Sequence, residues 1–145
     1  MCWNLAPEIP DYQNPLSIMD LLFGKLALLD FEGTELRRRY PSAETFALLA
    51  SQLTDVESVN QVKVPAQPEL FLFDVRRAGR EPMFVVWVQH DSFTGEDELP
   101  VTFDWIWPAA QVSAVDALGQ PQSIELQEGR LTTEVSLTPL FIAAD

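Results

Sequence analysis

From Leu70 onward the apolar residues of this chain recur at every second position, and this alternation restricts its fold more than any other feature. Phe71, Phe73 and Val75 fall on one side of an extended segment, and Val101, Phe103, Trp105 and Trp107 line one side of another. Successive side chains of a strand point to opposite faces, so each run describes a strand with one face set for burial. Met83 to Val88 is apolar at every position, the pattern of a central strand covered on both faces. Val112 to Val115, Ile124 to Leu126, and the alternating residues Leu131, Thr133, Val135 and Leu137 continue the series, and Leu140 to Ile142 can close it. Leu118-Gly119 and Glu128-Gly129 separate these strands, glycine accepting the positive φ of tight turns, and the last pair reads as a hairpin. So many short strands with turns between them predict an antiparallel sandwich or barrel.

Upstream the pattern differs. Pro7, Pro10 and Pro15 break any long element, while Leu16, Met19, Leu22 and Phe23 are spaced for one short amphipathic helix. Leu26, Leu28 and Leu29 followed by Asp30-Phe31-Glu32-Gly33-Thr34 read as a strand or extended arm entering a turn, with helical continuation as the alternative. Ser42 then offers an N-cap, Glu44 puts negative charge in the first turn, and Ala43, Phe46, Ala47, Ala50 and Leu53 repeat at helical spacing. The expectation is a helix from Ser42 to Leu53 whose single apolar stripe packs against a sheet. The chain is thus expected to be mainly β: an antiparallel β-sandwich over residues 61–145, with one or two short N-terminal helices from an irregular segment, residues 1–60, packed on it.

At 145 residues and 47% hydrophobic content the chain can bury a sizeable core. Its formal charge of -13 repels phosphate backbones and anionic membranes, which excludes nucleic acid and membrane surfaces as partners. Cys2 is the only cysteine, so no internal disulfide forms. The N-terminus has neither the basic region nor the apolar run of an export signal, and no stretch approaches a membrane span, which points to a cytoplasmic home.

Candidate chemistry is sparse. Asp91, Glu96, Asp97 and Glu98 form the one dense acidic cluster, around Ser92-Phe93-Thr94-Gly95, where a solvated turn is the plain reading. Asp91, Asp97 and Glu98 could hold calcium, although their spacing is not that of an EF-hand. His90 is the single histidine, which leaves no second nitrogen for a zinc site and no base near a Gly-x-Ser-x-Gly elbow. No glycine-rich phosphate cradle is present, and no cofactor is implied. Trp105 and Trp107 share a strand face and could stack on a sugar, but Val101 and Phe103 on that same face argue for core.

The order of several short motifs resembles the C-terminal part of a (β/α)8 glycoside hydrolase. Asp30-Phe31-Glu32-Gly33-Thr34-Glu35-Leu36-Arg37-Arg38-Arg39-Tyr40-Pro41 and the helix after it are similar to the glycine turn and basic-Tyr-Pro segment that lead into the barrel's last helix. Val85-Val86-Trp87-Val88 and Val115-Asp116-Ala117-Leu118-Gly119 resemble an apolar-apolar-Trp strand and a recurring Asp-x-x-Gly turn of the appended sandwich. Cys2-Trp3-Asn4-Leu5 is similar to the end of the eighth barrel strand, where the family often places a tryptophan beneath the sugar.

A barrel of this kind needs about 250 residues, so the resemblance implies that both catalytic acids would lie before Met1 and that none is in this chain. It implies a non-catalytic accessory sandwich that packs on a catalytic barrel. Residues 1–40 would then present apolar surface to that barrel or to a second copy. A stand-alone carbohydrate-binding module using Trp3, Tyr12, Trp105 or Trp107, and a self-associating subunit without catalysis, are the alternatives.

Overall fold

The computed structural model describes residues 28–89 and 99–144. The chain divides into two compact units, residues 1–47 and 48–145, with the division inside a helix. The helix expected around Leu16 to Phe23 lies outside the described residues.

In the first unit, β1 (Leu29–Glu32) and β2 (Glu35–Arg39) form an antiparallel hairpin. Gly33, at φ 61°, makes the turn, a conformation that costs an L side chain steric clash. The hairpin is held by an exposed ion pair from Arg37 Nε to Glu32 Oε2 at 2.9 Å and by the Arg38 guanidinium lying 5.1 Å from the Tyr40 ring centre. The strand reading of Asp30-Phe31-Glu32 therefore holds over the helical one. Its partner β2 carries no alternation in the sequence, and all five of its residues are exposed.

Helix α1 spans Pro41–Gln52. It begins one residue before the expected Ser42 cap, because the Tyr40 carbonyl accepts the Ala43 N–H at 2.8 Å and Pro41 takes the first helical position. Proline suits that position: its φ is already helical and it has no N–H to leave unpaired. Ala43 is buried, but Phe46 and Leu49 remain 50% and 41% exposed, so the apolar stripe is only partly covered.

The second unit holds two antiparallel sheets. One has five strands in the order β3 (Val56–Val62), β4 (Leu70–Arg77), β5 (Met83–Val88), β10 (Leu140–Ala143), β7 (Ser113–Asp116). The other has three in the order β6 (Val101–Ile106), β9 (Arg130–Val135), β8 (Glu125–Gln127). Both-sided apolarity correctly marks β5 as central, since it is the middle strand of the larger sheet. The expected hairpin is β8–β9, closed by Glu128 at φ 50° and Gly129 at φ 77°.

The sheets enclose one core. Leu70, Leu72, Val86, Val88, Leu140 and Ile142 from the larger meet Phe103, Trp107, Leu131 and Val135 from the smaller. Each fully buried large side chain here stabilises the fold by about 1.5–3 kcal/mol. Register explains the sorting: Leu72 pairs with Val86 and Val86 with Leu140, so the three share a face. The boundary expected at residue 60 falls inside β3, whose sequence Val-Glu-Ser-Val-Asn-Gln-Val shows no apolar alternation because an edge strand is exposed along most of its length.

Candidate functional site

Two features of the second unit bear on function: the aromatic residues of β6, and the outer face of the five-stranded sheet. Along β6 the odd positions point into the core. Phe103 is fully buried, and Trp107 is 4% exposed with its Nε1–H donated to the Gln111 carbonyl at 3.0 Å. Trp105 is half-buried, stacked on Phe103 with ring centres 5.9 Å apart and edge-on to Phe84 at 6.1 Å. A sugar platform needs an open ring face. Trp107 belongs to the core, like its neighbour Phe103 on the β6 face. Trp3, Tyr12, His90, Asp91, Glu96, Asp97 and Glu98 lie outside the described residues.

The outer face of the five-stranded sheet is the feature that sequence patterning left undeveloped. Phe71, Phe73 and Val75 lie on it, as alternation predicts, and pairing adds Trp87 opposite Phe71, Val85 opposite Phe73, Met83 opposite Val75 and Phe141 opposite Val85. Val75, Met83 and Phe141 form a second buried cluster, flanked by the half-buried Phe73, Val85, Val115, Ala117 and Ala143. Trp87 is nearly parallel to both neighbouring phenyl rings, with centres 5.6 Å from Phe71 and 5.2 Å from Phe73. A two-layer sandwich requires one apolar face per sheet; this sheet has two.

Arg77 ends the same face. Its residue is 9% exposed, its Nη1 and Nη2 donate to the carbonyls of Gln52 at 3.3 Å and Glu81 at 3.2 Å, and its Nε has no hydrogen-bond partner. Desolvation lowers its pKa from the ordinary guanidinium value, and nearby Arg80 pushes the same way. The bond to Gln52 sets a cation at the C-terminal end of α1, where the helix dipole favours it. Arg76 and Arg130 differ, each directing Nε and Nη2 at a carboxylate, Asp74 and Asp104 respectively.

Asp116 and Glu134 border one groove of about 280 Å³ between the sheets. Two carboxylates in a groove are what glycoside hydrolysis uses, but these are occupied with structure. Asp116 Oδ1 accepts the N–H groups of Leu118 and Gln120, both at 2.9 Å, and Oδ2 accepts Gln122 Nε2 at 2.9 Å. The Asp-x-x-Gly motif is thus a side-chain-capped turn, completed by Gly119 at φ 82°. Glu134 Oε1 accepts the Thr102 hydroxyl at 3.1 Å. Among the described residues no group of three His, Cys, Asp or Glu side chains is placed to hold a metal ion, and no helix is long and apolar enough to cross a membrane.

No family model matches the chain, and no curated protein matches it. Among solved structures it is similar to a family 39 glycoside hydrolase from the gut symbiont Bacteroides cellulosilyticus WH2, with a TM-score of 0.60 and 14% identity. The likeness extends over 99% of this chain and 25% of that one. The two share a fold over that stretch, and this chain spans about a quarter of the length of the glycoside hydrolase it matches.

Proposed function

We propose that this chain is a non-catalytic accessory β-sandwich domain of a glycoside hydrolase-like protein, which stabilises a catalytic (β/α)8 barrel by packing against it. The observation that carries this reading is the fold likeness itself: nearly all of this chain superposes on a minor part of a much longer glycoside hydrolase. The motif order from Asp30 to Pro41 and from Val85 to Gly119 supports the same assignment. So does the commitment of Asp116 to its turn, where both carboxylate oxygens accept hydrogen bonds that hold the Asp-x-x-Gly segment. On this reading the chain contributes buried surface and rigidity, while the reacting groups belong to the barrel.

Assay of the purified chain against a panel of aryl glycosides tests this. No turnover above background is expected. Hydrolysis that disappears on Glu96→Gln or Glu98→Gln would overturn the reading and locate an active site in this chain.

A further inference from the structure

We propose that the outer edge of β3 pairs with the β3 edge of a second copy of this chain, antiparallel about a two-fold axis at Asn60, so that two five-stranded sheets join into one. Such pairing is independent of the accessory role.

A strand at the edge of a sheet exposes a row of N–H and C=O groups that pair with any extended backbone presented to them, and folded proteins guard such edges. The five-stranded sheet ends at β3 on one side and β7 on the other. Residues 120–122 lie along β7: the Gln122 N–H donates to the Ala114 carbonyl and the Asp116 N–H to the Gln120 carbonyl, both at 3.0 Å, and Val115 bridges Pro121. β3 has no such cover, since among the described residues only β4 pairs with it. At seven residues it is also longer than either edge of the smaller sheet, β6 at six and β8 at three. The usual guards stand only at its ends, a bulge between Val56 and Ser58 and the cation Lys63, so Ser58 to Val62 runs without charge, proline or glycine. Val59 is 53% exposed, and Asn60 and Gln61 are exposed beside it.

Charge chooses both the occupant and the register. Two β3 strands paired antiparallel about Asn60 set Glu57 of one copy opposite Lys63 of the other, and the symmetry makes this contact twice. Both side chains are exposed, and neither has an ion-pair partner among the described residues. Glu57 is moreover the extra residue of the bulge, unmatched on β4. Between the charges Ser58 meets Val62 and Val59 meets Gln61. An axis at Val59 sets Glu57 opposite Gln61, and one at Gln61 sets Lys63 opposite Val59, so only the Asn60 axis joins the two charges. The formal charge of -13 is spread over the chain and screened beyond about 8 Å at physiological salt, whereas opposed residues of paired strands lie about 5 Å apart. A contact centred on Ser58 to Val62 is smaller than the roughly 20–30 residues a side of a stable complex, so dimer and monomer exchange and their balance follows concentration.

Sedimentation equilibrium of the 145-residue chain over a series of concentrations tests this pairing. The weight-average mass is expected to rise from 16.3 kDa toward twice that value. Glu57→Lys and Lys63→Glu each set like charges opposite one another and are expected to weaken the dimer several-fold, while the double variant carrying both restores it. Asn60→Lys brings two cations together at the axis and is expected to abolish the dimer. All three positions are exposed, and circular dichroism checks that each variant keeps its sheets. A monomer throughout the series overturns the proposal. So does a dimer that Asn60→Lys and the single charge reversals leave intact, or a double variant that associates no better than the single ones.

Discussion

Phe103 and Trp107 illustrate what a single side chain contributes here. Both sit on the β6 face that meets the larger sheet, and Phe103 has no exposed surface. Phe103→Ala should therefore destabilise the chain by about 3–5 kcal/mol, the cost of lost burial plus the cavity left behind. Urea unfolding followed by circular dichroism measures it, and a loss under about 1 kcal/mol would mean that the sheets do not close over this ring. The face of β6 was legible in the sequence, since Val101, Phe103, Trp105 and Trp107 recur at every second position, with polar Thr102 and Asp104 between the first three. Depth was not. Alternation encodes which side a residue takes but not how much covers it, so the buried Trp107 and the half-buried Trp105 are indistinguishable until the sheets are assembled. Arg77 was illegible for a related reason: a buried guanidinium reads in sequence like its exposed neighbour Arg76.

At the scale of elements, turns and edges behave differently. The β8–β9 hairpin has a two-residue loop in which Glu128 and Gly129 both take positive φ, the geometry whose twist matches the flanking strands. Glycine adopts it freely; glutamate does not. Glu128→Asn is expected to stabilise the chain by about 0.5–1 kcal/mol, because asparagine tolerates the left-handed region better. A thermal melt that shows a clear rise in Tm supports this, and an unchanged or lower Tm contradicts the turn geometry. Glycine at this turn made the hairpin readable from sequence alone. The strands β2 and β3 were not readable, since Glu35–Arg39 is exposed throughout and Val56–Val62 nearly so. Such segments are held by backbone pairing to a neighbour and carry no apolar period of their own. The start of α1 was displaced for a local reason, proline at the first helical position outranking serine at the second.

For the molecule as a whole, the decisive property is the apolar character of both faces of the five-stranded sheet. It was visible in Met83 to Val88, where no residue is polar, and that run correctly predicted a central strand. Which face meets the second sheet depends on register between strands far apart in the chain, and no local pattern holds that information. The proposed accessory role rests on the fold likeness, which matches this chain to a minor part of a much longer glycoside hydrolase. Its most direct test is the size of the native polypeptide in its source cell, measured by immunoblot with antibody raised against this chain. A band far above 16.3 kDa is the expected result, with the catalytic barrel on the same polypeptide. A single band at 16.3 kDa would contradict the account and make this a free-standing domain.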